Sequence, residues 1–148
     1  MTPDVSVLVA AARRDHLHHA VARSWLEGAI VSAASGRSLT LMPMVLASFL
    51  RLVTSPKIFT MPTPINEAIS FVDALLTTTG VHLATIGPEW PLLRTLCVDK
   101  QFTGNALPDA WLAAATMQLG EHLVSFDRDF RKMIGRSHFT LLEPVARS

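Results

Sequence analysis

Apolar and polar positions fall in blocks along the chain, and the blocks predict strands and helices in turn. The first apolar run has the length of a strand over residues 5–9. Next, Leu17, Val21, Trp25, Leu26, Ala29 and Ile30 share one helical face within residues 17–33, with Gly36 beyond the end. Residues 39–42 form another strand-length run. Pro43 then opens an apolar helix over 44–53, interrupted by Ser48 and Arg51, which share a face three residues apart. A further helix is predicted by Thr63 as cap, Pro64 at the first position, and the stripe Ile65, Ala68, Ile69, Val72, Leu75 and Leu76. Gly80 ends it and residues 81–86 read as a strand. Residues 88–97 read as a helix with Leu93, Leu96 and Cys97 inward and Pro91 in its first turn. After Gly104, Pro108 starts a helix carrying Trp111, Ala115 and Leu119, which Gly120 stops. Residues 123–126 then read as a strand, 127–133 as a short helical turn, and 139–142 as a last strand.

This alternation predicts an α/β fold: a doubly wound, mainly parallel sheet flanked by helices, in a single domain over residues 1–148. In such sheets ligands gather beyond the carboxyl ends of the strands. With 49% apolar and 17% charged residues the chain can build a core, and disorder is excluded. Thirteen Lys and Arg against twelve Asp and Glu leave +1, which excludes holding nucleic acid by bulk charge. The mean hydropathy of +0.34 is high, yet no run approaches the roughly 20 apolar residues of a membrane span. We assign the surplus to a buried sheet and to surface covered by a partner. A lone Cys97 excludes an internal disulfide and a multi-thiolate zinc site. The first residues lack the basic segment of a signal peptide, so the expected compartment is the cytoplasm.

Four acids stand apart from those on polar helix faces. Asp4 opens the first apolar run, Asp109 follows Pro108 at a helix start, and Asp127 and Asp129 follow the strand at 123–126. Carboxylates brought together repel, and one takes up a proton unless a cation neutralises them. Mg²⁺ or Mn²⁺ does this with oxygen ligands and retained waters, and such a site can activate water for in-line attack on a phosphodiester. Each acid also has a plainer reading. Asp109 gains about 0.3–1 kcal/mol from the helix dipole alone. Asp127 can cap the turn beginning at Arg128, and Asp129 reads as an outer or solvated residue. Asp4 is harder to explain away, because an acid against a buried run is costly unless paired.

His16, His18 and His19 read as a solvated helix start, and Trp25, Trp90 and Trp111 read as core. Arg13, Arg14, Arg51, Arg94, Lys100, Arg128, Arg131 and Lys132 could form a phosphate-positioning rim. Arg51, on the face of Ser48, is expected to point toward the acids. The absence of a Gly-rich phosphate loop argues against ATP or dinucleotide binding.

Taken in order, the motifs resemble a known family. Asp4-Val-Ser-Val-Leu-Val-Ala resembles the opening Asp-x-Asn-x-Leu-x-x of PIN-domain ribonucleases of the VapC toxin type. Asp15-His-Leu-His-His with Ala22-Arg-Ser-Trp-Leu resembles the first helix of one branch of these toxins. Leu46-Ala-Ser-Phe-Leu-Arg-Leu-Val-Thr resembles the segment that often carries a second acid. Gly104-Asn-Ala-Leu-Pro-Asp-Ala-Trp-Leu-Ala-Ala and Ser125-Phe-Asp-Arg-Asp-Phe resemble the third and fourth acid motifs. The resemblance covers essentially the whole chain. It implies a PIN-like fold, Mg²⁺- or Mn²⁺-dependent cleavage of RNA, a homodimer, and inhibition by a VapB-type antitoxin whose amphipathic helix occupies an apolar groove. By matching positions it implies Asp4 and Asp109 as metal ligands, Asp127 completing the acidic pocket, and Asn105 ordering it. It also ends the first strand near Asp4 and turns the following run into a helix.

The chain departs from the family pattern at three places. Ser48 stands where many members carry Glu, Ser6 replaces the Asn that would orient a carboxylate, and Pro3 lies in what should be a central strand. These departures motivate a rival reading, a PIN-like module that binds RNA or antitoxin with weakened or lost catalysis. A receiver-like phosphoacceptor domain is disfavoured, because Asp4 is alone at the first strand and no late strand ends in Lys.

Overall fold

A computed structural model describes residues 1–144. Its strands are β1 (Thr2–Pro3), β2 (Leu39–Leu41), β3 (Val81–Leu83), β4 (Leu123–Ser125) and β5 (Phe139–Leu141). The helices are α1 (Val5–Ala12), α2 (His19–Ala34), α3 (Pro43–Val53), α4 (Ile65–Leu76), α5 (Trp90–Lys100) and α6 (Ala106–Gln118), and two 3₁₀ turns lie between β4 and β5. Every ladder is parallel: β1 pairs with β4, β4 with β5, and β2 with β3. A bond from Thr40 N–H to Met1 C=O, 2.8 Å, joins the two ladders, so the strands run in the order β3-β2-β1-β4-β5. The chain adds strands on one side of β1 and then on the other, which puts the topological switch between β1 and β4.

Pro3 explains why the sheet is split. Thr2 and Asp4 donate their N–H groups to His122 and Val124 C=O on the β4 side, at 2.8 and 2.9 Å. Strand alternation turns the nitrogen of Pro3 toward β2, where it has no hydrogen to give. The ladder to β2 is therefore reduced to the Met1 acceptor, and the Thr40 hydroxyl reinforces the seam by donating to Glu121 Oε1 at 2.6 Å.

The run after Asp4 is a helix, so the strand expected at residues 5–9 is overturned and the family resemblance is right. Asp4 caps α1 by accepting from Val5 N–H at 2.7 Å, and three consecutive alanines at its end favour the helix. Val7, Leu8, Val9, Ala10 and Ala11 are all buried, because α1 packs against both α2 and α3. A helix enclosed on all sides leaves no polar stripe, and its sequence then looks like a buried strand.

Other boundaries shift for local reasons. Helix α4 is capped at Pro64 rather than Thr63, whose hydroxyl instead accepts from Arg13 at 3.1 Å. Its buried stripe is the narrow set Ala68, Val72 and Leu75, while Ile65 and Ile69 are exposed. Strand β3 stops at Leu83, and α6 begins two residues before Pro108, so that proline lies within the first turn. Leu119 is exposed just beyond α6.

Gly80 turns the chain from α4 into β3 with φ of +81°. A Cβ there would lie 2.2 Å from the carbonyl oxygen of Ala33. Gly80→Ala is expected to destabilise the protein by about 2–3 kcal/mol, through left-handed strain and the clash together. Urea unfolding should show this as a lower midpoint with an unchanged slope.

Candidate active site

The fold delivers its acids to the carboxyl ends of the central strands. Asp4 follows β1, Asp127 follows β4 across the switch, and Asp109 occupies the first turn of α6. Asp4 and Asp109 line the same hollow of about 950 Å³, together with Ser48 and Arg94. The rest of its wall is mainly apolar and includes Met44, Ile86, Trp90 and Trp111.

Asp4 is 4% exposed and its carboxylate accepts three hydrogen bonds from groups close to it. Oδ1 accepts from Val5 N–H, while Oδ2 accepts from the hydroxyls of Ser6 and Ser125 at 3.0 and 2.7 Å. These serines are themselves fixed: Phe126 N–H donates to Ser6 Oγ at 3.3 Å, and Asp127 N–H to Ser125 Oγ at 2.9 Å. Burial raises the Asp4 pKa, and the bonds from Ser125, Ser6 and Val5 only partly offset it. Asp109 is half-buried and is pushed up from 3.8 to about 6, first by burial and then by the negative charges of Asp4, Asp127 and Asp129. The four acids thus share one electrostatic neighbourhood, although the two later ones stand outside the lining of the hollow.

Asp127 caps the 3₁₀ turn Arg128–Lys132 by accepting from Asp129 N–H at 2.9 Å. Asp129 is exposed and approaches Lys132 at 3.9 Å. Among the described residues, no three His, Cys, Asp or Glu side chains are gathered closely enough to form a ready-made metal site. The two carboxylates on the solvent-reachable hollow suit a hard cation that retains its waters, and the Cys97 thiol also lines the wall.

Several expected side chains fall elsewhere. Arg51 is exposed and absent from the lining, because three residues of helix rotate it about 60° from Ser48. Asn105 is exposed at the start of α6 and makes no capping bond. Arg13 is not part of a rim. It is buried, forms a two-pronged pair with Asp15, donates to Met61 C=O at 2.7 Å, and lies 4.0 Å over the Phe59 ring. The histidines before α2 are half-buried fasteners rather than a solvated start: His18 stacks on Phe126 at 4.8 Å, and a ring nitrogen of His19 lies 2.8 Å from Ala10 C=O. Of the tryptophans, Trp25 is half-buried against the core, and the other two are not core. Trp90 is 63% exposed and Trp111 is half-buried, both on the wall of the hollow.

Two groups at the site were missed in the sequence. Ser125 lies two residues before Asp127, a spacing that signals a side chain on the same side of an extended strand. Glu89 is 5% exposed and accepts from Trp111 Nε1–H at 2.8 Å and from Gly87 N–H at 2.6 Å, which ties α5 to α6 behind the hollow. No sequence signal marked it, since its partner is 22 residues away.

A parallel α/β domain whose switch-point acids open on one hollow defines a class, and comparison with known proteins agrees. A family model described as PIN domain matches residues 1–135, so the chain belongs to the PIN-domain family. Within it, the chain is 41% identical over 139 residues to Ribonuclease VapC31 of Mycobacterium tuberculosis, covering 91% of this chain and 94% of that protein. It is 39% identical over 137 residues to Ribonuclease VapC25 of the same species, with the same shares covered. These matches place it in the VapC branch. Among solved structures, M. tuberculosis VapC20, described as a Sarcin-Ricin loop cleaving toxin, superposes with a TM-score of 0.62 at 16% identity, over 97% of this chain and 98% of that one. VapBC2 from Rickettsia felis, bound to a DNA fragment from their promoter, also gives 0.62, at 17% identity over 96% and 98%. At such identities these two superpositions establish the fold.

Asp109 supplies a stability test. Its pKa is raised on folding, so its favourable contribution is complete below pH 3.8 and is lost as the pH rises through about 6. Asp109→Asn is expected to raise the melting temperature of metal-free protein at pH 8 by a few degrees and to leave it nearly unchanged at pH 4. Equal shifts at both pH values would show that the cost of ionising Asp109, from burial and from its acidic neighbours, is not the cause.

Proposed function

We propose that the chain is a metal-dependent endoribonuclease toxin of a type II toxin–antitoxin pair, neutralised by a cognate VapB-type antitoxin and acting as a homodimer in the cytoplasm. The observation that carries this reading is the opening of Asp4 and Asp109 onto one hollow beyond the carboxyl end of β1, with Asp109 raised to about 6 by burial and its acidic neighbours. The VapC ribonucleases among its relatives support it.

Asp4 and Asp109 would hold Mg²⁺ or Mn²⁺, with Asp127 adding negative potential. When bound, the ion supplies charge neutralisation and an acidified water for attack on a phosphodiester. The protein's own contribution is preorganisation. Ser6, Ser125 and Val5 N–H hold the Asp4 carboxylate in one orientation before substrate arrives. Here Ser6 and Ser125 together do what the family's Asn would do alone. Asp109 has no hydrogen-bond partner among the protein groups described, so its oxygens are available on the hollow. Arg94 offers a cation on the wall for phosphate oxygens.

Asp4→Asn and Asp109→Asn are each expected to cut Mg²⁺-dependent cleavage of single-stranded RNA by about 100-fold or more. Asn retains N-cap capacity at position 4, so circular dichroism should report an intact fold. Full activity in both variants would remove these acids from the site.

Ser48 favours a second reading, a weakened nuclease. It lines the hollow beside Asp4 and Asp109, where many family members carry Glu. Ser48→Glu is expected to increase cleavage at limiting Mg²⁺; wild-type protein that cleaves nothing at any Mg²⁺ or Mn²⁺ concentration, before or after this change, would mark a binding module instead.

A further inference from the structure

The turn that follows Asp127 carries charge the catalytic reading does not use. Four of the thirteen Lys and Arg residues lie between positions 128 and 136, against one acid, Asp129. On a chain with a net charge of +1, this is a local concentration. Two of the four, Arg131 and Arg136, line a separate cavity of about 390 Å³ with Ile134, Phe139 and Leu141. Both arginines are exposed, and neither pairs with a carboxylate among the described residues.

The lining combines two recognition chemistries. Guanidinium groups present planar donor forks that match phosphate oxygens. Phe139 is half-buried and backed by the ring of Phe130, 6.1 Å away and itself 1% exposed, so it forms a fixed aromatic surface. A cationic groove beside an aromatic face is the arrangement that takes one unpaired nucleotide, its phosphate on the cations and its base against the ring.

The cavity also stands in a fitting place. Asp127 caps the five-residue turn that carries Arg131, so one short segment of chain links an acid of the site to the cavity. We infer that the Arg131–Arg136 cavity is an anchoring subsite for a nucleotide of the RNA strand whose scissile phosphate lies at Asp4 and Asp109. This rests on the nuclease reading above. A carboxylate-rich segment of a protein partner would satisfy the arginines but would leave the aromatic surface unused.

The test is binding of a fluorescein-labelled single-stranded RNA to full-length protein in EDTA, followed by anisotropy over a range of salt. The R131Q/R136Q variant is expected to bind about ten-fold more weakly, and its logarithmic salt dependence should fall by about 0.7 for each phosphate no longer held. The charge-keeping R131K/R136K variant should recover most of the salt dependence, and melting temperatures should agree across the set. In Mg²⁺, the glutamine variant should raise KM for long RNA while leaving kcat near the wild-type value. Unchanged RNA affinity and salt dependence in R131Q/R136Q would overturn the subsite, whatever the cleavage activity. Unchanged RNA affinity with lost binding of the coexpressed antitoxin would overturn it in favour of an acidic protein partner. Wild-type protein that binds RNA through these arginines yet never cleaves would retain the subsite and dismiss the nuclease reading.

Discussion

Burial of the Asp4 carboxylate is the constraint around which the rest is arranged. A carboxyl group at 4% exposure is costly without hydrogen-bond partners, and the neighbourhood supplies a backbone N–H and two hydroxyls. Those hydroxyls come from α1 and β4, so satisfying one side chain fixes the register of helix against strand. The electrostatic cost that remains is passed to Asp109, which shares the same region of negative potential without such donors. For both acids burial is the first cause of the raised pKa, and at Asp109 the neighbouring negative charges add to it.

The sheet shows how such a site is accommodated. Parallel strands place their carboxyl ends on one edge, and the hollow that Asp4 and Asp109 line lies there, walled by α3, α5 and α6. Pro3 occupies that central strand because the donor it lacks faces β2. On the side that matters for the acids, Thr2 and Asp4 make their full complement of bonds to β4.

Much of this was legible in the sequence. The order of the elements after the first helix, the parallel sheet and the placement of Asp109 and Asp127 at a helix start and beyond a strand follow from blocks of apolar residues punctuated by Gly and Pro, whereas Asp4 at the end of a strand followed only from the family resemblance. What was not legible depends on contacts distant in sequence. The helix at Val5–Ala12 is enclosed on all sides and so has no polar stripe to reveal its period. Arg13 and Glu89 look like surface charges until Met61 and Trp111 are found beside them. Ser6 looks like the loss of an amide, and its compensation by Ser125 spans 119 residues. The histidines were read as solvated because their partners, Phe126 and Ala10, lie on other elements.

The double duty of Asp4 has an evolutionary corollary. Because the same carboxylate caps α1 and opens on the hollow, most replacements at this position would cost about 1 kcal/mol of helix initiation besides any chemistry. Position 48 has no such tie to the scaffold. A lineage drifting toward a milder enzyme can change that site at little risk to folding, whereas position 4 is guarded by architecture. Substitution on the α3 wall of the hollow, at Ser48, therefore costs the scaffold less than substitution at Asp4.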